Sequence, residues 1–204
     1  MTDYTLYGHP QSRAMRVMWM LEELGQDYEL VPAKPQSEEI RAVSPAGKVP
    51  VLRVGAAFLS DSVAIIQFLA DRHEALTAPA GTIERAVQDG HTQFLCDEVD
   101  GSLWTAAKHA FVWPEEMRVP EAKEAARIEF SRAMARLEER LGEGPYLAGS
   151  DFAVPDLLAA HCLSWAKSAK FEVESEVVTA YGKRCRARPA FRRALERAAE
   201  LGKG

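Results

Sequence analysis

The spacing of hydrophobic and polar positions changes character twice along this chain. At the start, Tyr4-Thr5-Leu6-Tyr7 is a short strand-like run cut off by Gly8, His9 and Pro10. From Ser12 onward Val17, Leu21 and Leu24 recur at helical spacing, Met15 and Met18 widen the apolar stripe, and Gly25 stands where a helix stops. Tyr28–Val31 predicts a second strand, and residues 37–41 a short helix after the turn at Pro32 to Pro35. Residues 49–54 and 56–59, parted by Gly55, predict a hairpin, and Ala64, Ile65, Phe68 and Leu69 another helix. The order over this part is βαβαββα.

Beyond it the strand signals stop. Thr77-Ala78-Pro79-Ala80-Gly81 is small and turn-rich, so a domain spanning 1–75 is expected to end at a linker, 76–81, with a second domain over 82–204. That second part predicts helices only: a long one over 82–111, one over 121–141 with Phe130, Met134, Leu137 and Leu141 on one face, one over 154–167, and two shorter ones over 175–186 and 190–201. Pro189 suits a helix start, and Arg184, Arg186 and Arg188 are expected to complement the dipole of the helix before it. The fold class is therefore α/β followed by all-α.

Composition narrows the chemistry. The chain has 204 residues, 47% of them hydrophobic, enough for a real core, and a net charge of -5 that gives a polyanion little to hold, so nucleic acid is not expected as a partner. No apolar run approaches the ~20 residues of a membrane span and the first residues lack the pattern of a secretory signal, so a cytosolic protein without membrane contact is expected. Cys96, Cys162 and Cys185 are far apart and never form C-x-x-C, and the five histidines lack ligand spacing; reduced thiols and no metal site are expected.

Three stretches carry more. They are residues 6–12, Leu-Tyr-Gly-His-Pro-Gln-Ser, running into the first helix; residues 44–52, Ser-Pro-Ala-Gly-Lys-Val-Pro-Val-Leu; and residues 59–65, Leu-Ser-Asp-Ser-Val-Ala-Ile. Together and in this order, with an all-helical segment behind them, they resemble the soluble glutathione S-transferases, serine-type and bacterial-like, over nearly the whole chain. The resemblance implies a thioredoxin-like glutathione-binding domain followed by a helical bundle domain. It implies glutathione as co-substrate, no further cofactor, and pairing as a homodimer.

Helix N-termini favour anions through free N–H groups and the dipole, which makes the Ser12 turn a good place for a thiolate. Lowering a thiol pKa from about 8.5 by ~2 units takes roughly 2.7 kcal/mol. One hydroxyl donor to a charged group contributes ~1.5–3 kcal/mol, and a helix terminus a further ~0.3–1. The resemblance assigns that donation to Ser12; Tyr7 is the alternative, since other branches of the family use a tyrosine at the end of the first strand. Ser12 as a plain helix cap and Tyr7 as a packed strand aromatic are the competing structural roles.

The resemblance further implies a cis bond at Val49-Pro50 that turns backbone groups toward the cysteinyl part of glutathione. It gives Ser62 and Asp61, at a helix start, the γ-glutamyl carboxylate and ammonium, and Lys34 or Lys48 the glycyl carboxylate. Asp61 is shorter than the family's usual Glu or Gln. In the helical half, residues 149–156 resemble the family's capping box with Ala153 in the hydroxyl position and Asp156 three residues on. Among the large aromatics there, Trp104, Phe111, Trp113 and Trp165, the stretch before Pro114 provides His109, Phe111 and Trp113 as candidates for a pocket taking a hydrophobic electrophile. His161 and Cys162 read as structural. The expected reaction is conjugation of glutathione to that electrophile. Peroxidase, isomerase or dehalogenase chemistry on the same bound thiolate, or a non-catalytic binding module, are the alternatives.

Overall fold

A computed structural model describes residues 3–200. Its elements follow the order β1 (Tyr4–Tyr7), α1 (Ala14–Glu23), β2 (Tyr28–Val31), α2 (Glu38–Val43), β3 (Val51–Val54), β4 (Ala57–Ser60) and α3 (Ser62–Arg72). Helices follow: α4 (Ile83–Phe94), α5 (Gly101–Ala107), α6 (Pro120–Leu141), α7 (Val154–Ser168), α8 (Glu176–Arg186) and α9 (Pro189–Glu200). The described chain forms two compact units, one running to Thr77 and resuming at Arg186, the other Ala78–Cys185.

In the first unit a four-stranded sheet has the order β2-β1-β3-β4. β1 pairs parallel with β2 and antiparallel with β3, and β3 antiparallel with β4, with Tyr7 opposite both Val31 and Val51. This is the thioredoxin-like arrangement. Leu6 and Leu52 of the sheet, Val17, Met18 and Leu21 of α1, and Ile65, Ile66 and Leu69 of α3 are fully buried, so helical and strand periods meet in one core. Gly25, at φ +63°, ends α1 in the left-handed conformation that glycine adopts without strain, and the next amide, that of Gln26, returns to the Leu21 carbonyl at 2.9 Å.

The expected last helix exists as α9, the predicted end at Leu201 falling outside the described residues. It joins the first unit rather than the helical half in which the sequence reading placed it. Phe191 packs on Trp19 of α1 with ring centroids 4.6 Å apart, and Arg188 forms a two-pronged pair with Glu23 at 2.7 and 2.8 Å. Arg193 reaches Glu22, and Arg197 donates to the Tyr28 carbonyl. Arg188 thus pairs with a carboxylate, and Arg184 donates to the Pro145 carbonyl at 3.0 and 2.7 Å.

The second unit is helical throughout its regular elements. The long helix expected over 82–111 is a continuous helical run over 83–112, in which Leu95–Asp100 and Lys108–Val112 adopt the wider π-type winding on either side of α5. Thr82 caps its start, accepting from the Arg85 amide at 3.2 Å. α6 buries Phe130, Met134, Leu137 and Leu141, the predicted stripe. Asp156 is fully buried at the start of α7 and accepts from the Ala153 amide at 2.9 Å, the Leu147 amide at 2.8 Å and the Tyr181 hydroxyl at 2.8 Å. Ala153 has no side-chain oxygen to complete the box; its carbonyl takes the Asp156 amide at 2.9 Å.

Candidate active site

The residues that the resemblance assigns to glutathione lie in the first unit, Ser12 in the turn before α1, Pro50 just before β3, and Asp61 and Ser62 at the start of α3. After β1 the chain turns at Gly8, whose amide bonds the Val31 carbonyl at 3.1 Å, closing the turn onto the end of β2. A Cβ on Gly8 would fall 2.8 Å from the Cβ of Ala14 and 3.7 Å from both Val49 and Pro50. Gly8 therefore lies between the first residue of α1 and the loop before β3, with no room for a side chain. The Val49–Pro50 bond is cis, as the resemblance implies, and β3 begins at Val51 rather than 49 because the strand ladder starts after it.

Ser12 lies in the turn that leads into α1, two residues before the helix begins, and is half-buried. Its hydroxyl donates to the His9 carbonyl at 2.6 Å and accepts from the Ala14 amide at 3.2 Å. The hydroxyl thus accepts and donates within the turn, its proton aimed at a carbonyl, while the N-cap position of α1 is Arg13 and carries no side-chain cap bond. Tyr7 is half-buried and packs on the Ala33, Ile40 and Val51 cluster, its ring 6.3 Å from that of Phe58.

At the start of α3, Asp61 adopts φ +72° and caps the helix. Its Oδ1 accepts from the amides of Val63 at 2.9 Å and Ala64 at 3.2 Å, so the cap uses one carboxylate oxygen. Ser62 is only 4% exposed, and its Oγ accepts from Arg16 Nη1 of α1 at 3.1 Å. Arg16 is the polar residue that sequence reasoning missed. Its signal was a single charge inside the otherwise apolar run Ala14 to Leu21.

Lys34 and Lys48 are both exposed, on loops tied together by Gln36. The Gln36 amide donates to the Gly47 carbonyl at 2.8 Å and its side-chain amide to the Ala46 carbonyl at 3.1 Å. Gly47 suits this turn because its φ of +63° is a conformation that glycine adopts without strain. The pair of loops thus carries both lysines beside the cis-proline segment.

The remaining candidates belong to the second unit. His109 and Trp113 stack edge to face with centroids 4.7 Å apart, and His109 Nδ1 accepts from the Val119 amide at 3.0 Å. In the neutral ring this puts the proton on Nε2. Arg118 ties the same segment by donating to the Trp113 carbonyl at 2.7 Å, while Phe111 is 69% exposed. Cys162 is buried and its thiol reaches Asp100 Oδ2 at 3.8 Å. Among the described residues no group of three or more His, Cys, Asp or Glu is arranged to hold a metal.

A thioredoxin-like unit with a cis-proline loop before its third strand, followed in the chain by a helical unit, is the arrangement of the glutathione-transferase folds. Residues 6–79 match the family model for the glutathione S-transferase N-terminal domain and residues 120–200 that for its C-terminal domain. The chain belongs to the glutathione S-transferase family, an enzyme family of transferases. It is 27% identical over 202 residues to glutathione S-transferase U19 of Arabidopsis thaliana, covering 91% of this chain and 86% of that protein. It is 26% identical over 185 residues to glutathione S-transferase GstA of Escherichia coli O157:H7, covering 86% and 89%. Among solved structures, glutathione transferase URE2P6 of Phanerochaete chrysosporium, in complex with oxidized glutathione, superposes with a TM-score of 0.86 at 26% identity, covering 98% of both chains.

Proposed function

We propose that this protein binds glutathione at the Ser12, Val49-Pro50 and Ser62 end of its sheet and conjugates the bound thiolate to a hydrophobic electrophile. The observation that carries the reading is that Gly8 packs between Ala14, which opens α1 just after Ser12, and the cis Val49–Pro50 loop, on a sheet whose next helix starts at Asp61-Ser62. A peptide thiol laid along that loop meets backbone groups at its cysteinyl centre. Its γ-glutamyl end reaches the start of α3, and Lys34 or Lys48 is available to its glycyl carboxylate. Asp61 has Oδ2 outside its capping bonds, which suits an ammonium.

Ser12 is the thiolate donor in this reading, by redirecting its proton from the neutral His9 carbonyl to a charged sulfur, the stronger acceptor. Tyr7 is disfavoured because its ring is committed to the cluster beneath β3. Replacing Ser12 by Ala should lower turnover at fixed pH about tenfold to a hundredfold while glutathione still binds, the loss expected from one hydrogen bond to a charged group. Unchanged turnover would move the role to Tyr7. An electrophile and peroxide panel assayed with glutathione tests the reaction class. Binding without turnover on any member would leave a binding module.

The second substrate is read as meeting the apolar surface of the second unit around Phe111 and Trp113, with His109 holding the segment. A homodimer is part of the same reading, supported by Phe58, 45% exposed on the edge strand β4, and by exposed Ile83 and Val87 on α4. Sedimentation should give about twice the chain mass of 22.6 kDa. The cytosol, where the three cysteines stay reduced, is the compartment that fits. Among the described residues no helix is long and apolar enough to cross a membrane.

A further inference from the structure

A histidine fastens the loop that follows α5, and one of its two ring nitrogens suffices for that. His109 Nδ1 accepts from the Val119 amide at 3.0 Å and so ties the chain to itself ten positions on. A nitrogen that accepts carries no proton, so the neutral ring presents Nε2–H as a donor. Among the described residues no oxygen or nitrogen takes that proton. Its ring neighbour is Trp113, edge to face with centroids 4.7 Å apart, and a π face is a weak acceptor beside an oxygen. Trp113 is itself held at three points. Its amide donates to the Lys108 carbonyl at 3.1 Å, its carbonyl accepts from Arg118 Nε at 2.7 Å, and Lys108 Nζ stands 5.4 Å from its ring centre. His109 and Trp113 are half-buried, while Phe111 is 69% exposed and Val112 41%. A fixed donor thus stands among apolar groups that border solvent, and apolar walls with a few placed polar groups are what a small-molecule site is made of.

We propose that His109 selects the second substrate: through Nε2–H it favours electrophiles whose reacting carbon is conjugated to an oxygen acceptor, aryl enones being the simplest class. The inference rests on the reading that a second substrate meets this surface and that glutathione supplies the thiolate. In that addition the sulfur's electron pair forms the C–S bond at the carbon β to the carbonyl. The C=C pair becomes a bond between the α carbon and the carbonyl carbon, and the C=O π pair moves onto oxygen. A proton from water then reaches the α carbon and restores the ketone. Negative charge therefore grows on the oxygen, and a hydrogen bond to a charged oxygen is roughly twice as strong as one to a neutral carbonyl. His109 keeps its proton throughout and holds the oxygen by that bond. A benzyl halide has no such oxygen: the halide leaves with the bonding pair, and Nε2–H has nothing to meet.

The test measures kcat/KM with glutathione for an aryl enone and for a benzyl halide of similar size, in the unaltered protein and in two variants that divide the two roles of the ring. Asparagine puts an acceptor near the Nδ1 position and falls short of Nε2, whereas glutamine reaches Nε2 with a donor and leaves the Val119 amide unanswered. His109→Asn should keep the unfolding midpoint and lower the enone-to-halide ratio of kcat/KM about tenfold to a hundredfold, the range of one hydrogen bond to a charged group. His109→Gln should lower the midpoint and keep more of that ratio than His109→Asn does. An unchanged ratio in His109→Asn, or a larger loss of ratio in His109→Gln, would overturn the inference and leave His109 as a fastener of its loop. Nitrogen NMR spectra of the unaltered protein, labelled at histidine, decide the same question without turnover and whether or not the variants fold. Titration with the saturated ketone should shift the His109 Nε2 resonance; a resonance that stays in place overturns the inference. A protein that turns over neither substrate loses the conjugation reading instead, on which the ketone titration does not depend.

Discussion

Two helices of this chain open on an aspartate, and they use it in opposite ways. At α7, Asp156 is wholly buried and both its oxygens are engaged by the protein, through two amides and the Tyr181 hydroxyl. At α3, Asp61 is exposed, caps through one oxygen, and precedes a buried serine held by a buried arginine. The same capping chemistry thus gives a folding element in one unit and a candidate ligand cradle in the other. What separates them is how many of the polar atoms are already satisfied by the protein.

The largest effect is expected where satisfaction is complete. Asp156→Ala leaves three buried donors without their acceptor, and urea unfolding should show a loss of about 3–5 kcal/mol. A loss under about 1 kcal/mol would mean that solvent or a neighbour replaces the carboxylate easily. Burial pushes the Asp156 carboxyl up from its ordinary value, with the Leu147, Ala153 and Tyr181 hydrogen bonds pulling it back. Its contribution to stability is therefore fully present in acid and is lost as pH rises through the folded-state value.

At α3 the effect on folding should be smaller and the effect on ligand larger. Asp61→Ala should cost about 1 kcal/mol, the worth of an N-cap, whereas Asp61→Asn keeps the cap and removes only the charge. If Asp61 faces the γ-glutamyl ammonium, the Asn variant keeps its unfolding midpoint but raises the KM for glutathione. An unchanged KM would confine Asp61 to capping.

The smallest effect concerns a buried polar group with an orphan atom. His91 of α4 is buried, and its Nδ1 has no hydrogen-bond partner among the described residues. Burial, and then the Arg140 charge, hold its pKa below the ordinary 6.5. The folded state thus resists protonation that the unfolded chain accepts, so this contribution is present above pH 6.5 and is lost as pH falls through the folded-state value. The thermal midpoint should drop between about pH 7.5 and pH 5.5, and His91→Gln should shrink that drop. Equal drops in both proteins would assign the pH dependence to other groups.

Much of this was legible in the sequence because it is local. The strand of Tyr4 to Tyr7, the Gly25 stop and the Phe130 to Leu141 stripe each declare themselves within a few residues. The π-type segments flanking α5 were not, since a shifted hydrogen-bond register inside a helix alters neither composition nor the apolar period enough to be seen. Nor were the pairings of Arg188 with Glu23 and of Arg16 with Ser62, which join residues 165 and 46 positions apart. Charged residues in a helical sequence read as solvated faces, and only the fold turns these inward. Within the candidate site, the cis Val49–Pro50 bond was reached by resemblance, whereas the Ser12 hydroxyl, read as a thiolate donor or a helix cap, bonds inside its own turn, a geometry that one residue's position in sequence does not reveal.

The docking of α9 on α1 has a consequence for anyone who would dissect the molecule. A fragment ending at Thr77 would leave the indole of Trp19 without its phenylalanine cover and strand Glu22 and Glu23 without their arginines. The piece that can be expected to stand by itself is spliced from two separate stretches of this chain, so a tether joining residue 77 to residue 186 is the way to make it, and a plain truncation is not.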